Sequence, residues 1–129
     1  MIAFDTNVWA RAFLNDDPVQ SSKARTAIAS ARDRQKIYVP LLVIAELFWV
    51  LRGRWEKDRV LDTLDDLLRS GDIVIEGASI VASAVHEART TPLGLADILI
   101  AESASAAGAT QLVTFDKLLA RRARAARLT

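Results

Sequence analysis

Apolar residues in this chain fall into short runs whose period changes from one to the next. Residues 1–4 read as a short buried strand. Thr6 or Asn7 can cap the helix after it, with Trp9 and Phe13 on one face. Asn15, Asp16, Asp17 and Pro18 form a turn, and Pro18 suits the first turn of a helix running to about residue 32, where Ala24, Ala27, Ile28 and Ala31 recur at helical spacing. Residues 37–39 are a second strand ending at Pro40, and then comes a helix through Glu46 to Leu51 that Gly53 closes. Residues 55–68 are amphipathic, with Val60, Leu61, Leu64, Leu67 and Leu68 inward and Asp62, Asp65, Asp66 and Arg69 outward. Residues 73–75 form a third strand. Helices over 78–89 and 95–107 flank a break at Pro92 and Gly94. A fourth strand covers 111–115, and a last helix covers 117–126. Strands alternating with helices predict an α/β fold: a single domain over 1–129, with a short parallel sheet of about four strands and helices on both faces. Parallel strands buried on both faces read as plain apolar runs, as these do.

Four acids interrupt that pattern. Glu46 is the one charge between Pro40 and Leu51. Asp5 comes after Phe4, Asp97 breaks the run from Leu95 to Ala101, and Asp116 comes after Phe115. If these runs enter a core, each carboxylate must be paired, neutralised or bound to a metal, because a bare buried charge costs several kcal/mol. In open α/β sheets ligands sit beyond the carboxyl ends of the strands, and Asp5 and Asp116 both stand directly after strands. The sequence therefore predicts one carboxylate cluster holding a divalent cation. Oxygen donors favour Mg2+ or Mn2+. Such a centre polarises a phosphoryl oxygen and activates water, which is phosphodiester hydrolysis.

Composition narrows this further. About half the residues are apolar (51%), a hint of a subunit interface. The chain has no Cys and a single His, His86, so thiolate sites and disulfides are excluded and zinc is a poor fit; this predicts a reducing, cytoplasmic setting. No apolar stretch is long enough to act as a leader or to span a membrane. The net charge is only +1, but no acid comes after Asp116, whereas Lys117, Arg121, Arg122, Arg124 and Arg127 do. Those cations suit RNA phosphates; they equally suit a helix C-terminus.

Asp5-Thr6-Asn7 after a short strand, Ala45-Glu46-Leu47 in a helix, Ala96-Asp97-Ile98-Leu99-Ile100-Ala101 opening another, and Val113-Thr114-Phe115-Asp116 after a late strand together resemble the PIN-domain ribonucleases. Length and motif order are most similar to the VapC-type toxins of bacterial toxin–antitoxin pairs. The resemblance covers nearly the whole chain. It implies a Mg2+- or Mn2+-dependent endoribonuclease, a homodimer, silenced by a small cognate antitoxin. The family's acids map onto Asp5, Glu46, Asp97 and Asp116, with Asp5, Asp97 and Asp116 as metal ligands and Asn7 and Thr114 in support. Many relatives finish on a further short strand, and the Arg-rich end here is expected to lack it.

Each acid has a plainer reading. Asp5 and Asp116 suit helix caps, Asp97 suits a helix N-terminus, and Glu46 suits a pair with Arg11 or Arg52. Glu102 is expected at a site's rim or in solvent. Trp9, Trp49 and Trp55 are expected in the core or at a dimer interface, not as base-stacking platforms. A haloacid-dehalogenase-like phosphatase is the competing enzyme, but it wants a second Asp where Asn7 stands. A receiver domain fits no better. A non-catalytic interaction module leaves Glu46 and Asp97 unexplained.

Overall fold

The computed structural model describes residues 1–128. These form an α/β protein with six α-helices and short parallel strands, in two compact units, Met1–Ala78 and Ser79–Thr129.

The first unit is built on three parallel strands: β1 (Ile2–Ala3), β2 (Ile37–Val39) and β3 (Ile73–Ile75). Their order is β1-β2-β3, with Ile2 opposite Ile37 and Ile37 opposite Ile73. Parallel neighbours need crossovers, and each crossover here is a helix pair. Helices α1 (Thr6–Leu14) and α2 (Pro18–Arg32) join β1 to β2, and α3 (Leu41–Arg52) and α4 (Lys57–Arg69) join β2 to β3. Asp5 caps α1 and Asp17 caps α2, each accepting an N–H three residues on, at 3.2 Å. The α1 cap is thus Asp5, not Thr6 or Asn7. Asn15 ends α1 in the left-handed region (φ 55°), which Asn tolerates better than most residues.

Ile37, Val39, Ile44, Leu47, Leu51, Val60, Leu61 and Leu64 are wholly enclosed. The inward face expected for α4 is largely the buried one. Aromatic rings extend the core in a chain, Phe4 to Trp9 to Phe13 to Trp55, with centroids 6.1, 6.2 and 6.4 Å apart, and the Arg59 guanidinium lies 3.9 Å over the Trp55 ring. Trp9 is buried as expected; Trp49 is 79% exposed.

The second unit holds α5 (Ala78–Thr90) almost entirely, then α6 (Leu95–Ala106), β4 (Leu112–Thr114) and β5 (Ala125–Arg127). The expected fourth strand does not join the first sheet. β4 pairs in parallel with β5 as a separate two-stranded sheet, Val113 opposite Ala126. The helix expected over 117–126 is a 3-10 turn (Leu119–Arg121) and then β5, so the closing short strand is present. Ala and Arg favour a helix, but propensity is a weak prior. Only Leu119 of that segment is buried, which leaves a helix little apolar face to anchor it. Instead the backbone completes β4: the Leu112 N–H donates to the Arg124 carbonyl and the Leu128 N–H to the Thr114 carbonyl, both at 2.7 Å. Arg124 takes a positive φ of 64° to make the turn into β5.

Ion pairs fasten each unit. In the first, Arg32 at the end of α2 grips Asp72 just before β3 through Nε and Nη2, one to each carboxylate oxygen, and that contact holds the Asp72 carboxyl below its ordinary value. In the second, Arg122 donates to Glu87 of α5 at 2.6 and 2.7 Å and to Glu102 of α6 at 2.9 Å. Glu102, expected at a rim or in solvent, is instead half-buried in this triad, and Arg122 is held above its ordinary value chiefly by the bond to Glu87.

Both pairs can be broken by single substitutions. Asp72→Asn should lower the melting temperature at pH 7. A depressed carboxyl stabilises above its ordinary value of 3.8 and loses the effect as pH falls through its folded value. The gap between variant and wild type should therefore close below about pH 3.8 in melts across pH. Arg122→Ala leaves two half-buried carboxylates without their donor and should cost about 1–3 kcal/mol in urea titrations.

Candidate metal-carboxylate site

Strands β1, β2 and β3 run the same way, so their carboxyl ends all open onto one edge of the first sheet. Asp5 comes two residues after β1, Pro40 leads from β2 into α3, and Glu76 comes directly after β3. Asp5 is exposed. Its Oδ1 takes the Val8 N–H, and no described donor meets Oδ2. Glu46, one turn into α3, is also exposed, and its Oε1 accepts the Thr6 hydroxyl proton at 3.0 Å. Thr6 is the first residue of α1 and is buried. The residue after Asp5 therefore fixes Glu46, so Glu46 of α3 is tied to the first residue of the helix that Asp5 caps.

Glu46 is not a core carboxylate, and neither Arg11 nor Arg52 pairs with it among the described residues. Arg11 bonds Asp16 at 2.9 Å, and Arg52 bonds the Trp55 carbonyl at 2.9 Å. The apolar run of α3 suggests burial on all sides. The helix instead buries Val43, Ile44, Leu47, Phe48 and Leu51, while Leu42, Glu46 and Trp49 share the exposed face at helical spacing.

Sequence reasoning misses two residues here. It treats Thr6 only as a cap. It also passes over Glu76, although the rule that singles out Asp5 and Asp116, an acid just after an apolar strand, applies to Ile73-Val74-Ile75-Glu76 as well. Glu76 Oε1 accepts the Leu41 N–H at 3.0 Å. Pro40, the N-cap of α3, has no side-chain acceptor, so Glu76 satisfies the helix's first N–H from another element and places a negative charge at the positive end of its dipole. Burial, then the Glu76 carboxylate beside it, pushes the Tyr38 phenol up.

In the second unit Asp97 lies in the first turn of α6, half-exposed, with no described donor on either oxygen. Gly94, the N-cap, supplies no side chain, and the helix dipole there favours a carboxylate. Asp116 is exposed on the turn after β4. Its Oδ1 takes the Leu119 N–H at 2.8 Å, and its own N–H donates to Thr114 Oγ1 at 3.1 Å. Thr114 thus shapes the turn that carries Asp116. Asn7 is exposed on α1 and lines a groove of about 310 Å3 with Phe4, Val8, Arg11, Gln20 and Lys23. A cavity of about 500 Å3 between α1 and α2, lined by Trp9, Phe13, Ile28, Arg25 and Arg32, contains none of the candidate acids.

Within neither unit do three or more His, Asp or Glu side chains of the described residues gather into a metal cage. The donor chemistry still suits a hard cation. Mg2+ is commonly held by one or two carboxylates and otherwise by water. Each of the four acids keeps at least one oxygen free of described protein donors.

A PIN-domain family model matches residues 2–125. The chain belongs to the PIN-domain family. PIN domains are in general nucleases that work with divalent metal ions, so the strand-edge carboxylates are the first place to look for the chemistry of this PIN domain. No curated protein matches the chain. Among its described residues no helix is long and apolar enough to cross a membrane.

The cap and the charge of Asp5 can be separated. Asn caps a helix about as well as Asp, and Ala does not. Asp5→Asn should leave stability within about 0.5 kcal/mol of wild type, whereas Asp5→Ala should lose about 1 kcal/mol, measured by urea denaturation. A loss of function in Asp5→Asn would then report on charge alone.

Proposed function

We propose that this PIN domain is a Mg2+- or Mn2+-dependent endoribonuclease, the toxin of a toxin–antitoxin pair, that works as a homodimer and is held silent by a small cognate protein. The observation that carries the nuclease reading is the Asp5–Thr6–Glu46 arrangement at the strand edge, in a chain whose family is one of nucleases. The toxin role rests on motif order and on the likeness of the four acidic segments to VapC-type proteins.

The family resemblance assigns the ion to Asp5, Asp97 and Asp116, each of which has an oxygen that no described donor meets. A bound divalent ion supplies charge for the phosphoryl oxygen and lowers the pKa of water. The chain's own groups do the positioning. Thr6 holds Glu46 in one rotamer by taking Oε1, which leaves Oε2 to orient a water or a substrate hydroxyl. Thr114 fixes the Asp116 turn, and the Asp5 cap bond fixes its carboxylate at the start of α1. Holding the acids on helix starts and a tight turn limits their rearrangement during reaction. An antitoxin would act by placing a cationic side chain among these carboxylates and covering nearby apolar surface.

Purified protein incubated with total cellular RNA should yield discrete fragments with Mg2+ or Mn2+ and none with EDTA. Asp5→Asn, Glu46→Gln and Asp97→Asn should each lower the rate by roughly 100-fold or more, the scale of removing one charge-stabilising group at a reaction centre. No cleavage with either metal would leave an interaction module as the better account, and equal cleavage by wild type and Asp5→Asn would remove Asp5 from the reaction centre.

A further inference from the structure

The groove of about 310 Å3 between the start of α1 and α2 begins at Asp5. Phe4 precedes that acid and Val8 donates its N–H to it, and both line the groove. The floor is apolar. Phe4 and Val8 are half-buried, and α2 adds Ala24 and Ala27. The polar lining is of one kind. Asn7, Gln20 and Lys23 are exposed, and among the described residues nothing bonds their side chains. The remaining polar neighbour, Arg11, is already held by Asp16 at 2.9 Å. No acid lines the groove. Apolar walls with a few placed polar groups are the make-up of a small-ligand site, and this volume lies at the lower end of the range for one.

We propose that this groove seats one base of the RNA, that of a nucleotide beside the bond that is cut, and that Gln20 sets which base is preferred there. This rests on the nuclease reading above and deepens it. With the reacting phosphodiester at Asp5, the groove is the surface that a neighbouring nucleotide meets, because Phe4 and Val8 belong to both places. The apolar floor takes the face of the base. A side-chain amide holds a donor and an acceptor side by side, which matches the N6 and N7 edge of adenine. Gln20 supplies one such amide, and Asn7, nearer Asp5, a second. Lys23 meets a phosphate, and no carboxylate of the lining competes for it. A partner's apolar side chain is the less suitable occupant. It would use the floor but shut two amides and an ammonium away from water with nothing to bond.

The test is equilibrium binding by the full chain in EDTA, so that no cleavage intrudes, with labelled RNAs of roughly 12 nucleotides made of A, of C or of U alone. Wild type should bind the A oligomer most tightly. Gln20→Ala should weaken that binding roughly 5- to 150-fold, the range for one amide–base pair, and leave the other two oligomers nearly unchanged. Gln20→Glu keeps an acceptor and loses the donor, so it should move the preference toward C. An acid in the first turn of α2 suits the helix dipole, and melting curves should confirm that both variants fold. Lys23→Gln should weaken all three oligomers alike and lower the slope of log Kd against log salt by about 0.7, the value for one phosphate. Equal binding of the three oligomers by wild type, or an order that neither Gln20 variant changes, would overturn the proposal; an unchanged salt slope would remove Lys23 from it. A dimer that Gln20→Ala splits in light scattering, with the order intact, would give the groove to a second copy instead. Gln20-dependent base preference without metal-dependent cleavage would sink the nuclease reading and spare this one; cleavage with an order indifferent to Gln20 would do the reverse.

Discussion

Parallel pairing is the constraint on which the first unit depends. Strands of two or three residues are too short to hold a sheet by backbone bonds alone. They persist because Ile37, Val39, Ile73 and Ile75 are buried and because helix pairs on each crossover supply the remaining core. Running the same way, the strands also deliver their ends to one edge, and the acids of that edge meet partners set by that geometry. Asp5 begins α1, Thr6 reaches Glu46 on α3, and Glu76 takes the first N–H of α3. Had β2 run antiparallel, Pro40 and α3 would leave from the opposite edge, and Glu46 could not meet Thr6. The sheet's direction therefore sets the candidate chemistry before any side chain is chosen.

Most elements are legible in the sequence because their signals are local. Pro18 at the first turn of α2, Gly53 after α3 and the 3.6-residue period of α4 each fix a boundary with few neighbours involved. Misreadings arise where a distant partner decides. Residues 117–126 carry helix-favouring Ala and Arg, yet β4 needs a backbone neighbour and takes 125–127, a choice no local pattern encodes. Likewise nothing near β4 announces that it stands apart from the sheet of β1, β2 and β3. The positions of Asp5, Glu46, Asp97 and Asp116 are readable as anomalies in apolar runs, but burial is the wrong cause for the anomaly. None of the four is buried. A helical wheel of α3 places Leu42, Glu46 and Trp49 on one face and asks why that face is wet, a more productive question than how a core accommodates one acid.

The plain and the chemical readings of these acids turn out to be compatible. Asp5 and Asp116 do cap, and Thr6 does hold Glu46, but capping uses one oxygen of a carboxylate that has two. The bond to the backbone or hydroxyl fixes the group's direction; the other oxygen stays open. A freely rotating surface carboxylate would lose rotamer entropy each time it met a cation, of the order of 1 kcal/mol or more for a long side chain such as Glu. Here folding has already met that cost. The same argument explains why Thr6 is buried while Glu46 is not: the orienting group belongs to the scaffold and the oriented one to the solvent side. A residue that looks fully accounted for by a cap is, for this reason, a better candidate ligand than one with no local partner at all, and Asp97, whose two oxygens meet no described donor, is the acid whose orientation the fold controls least.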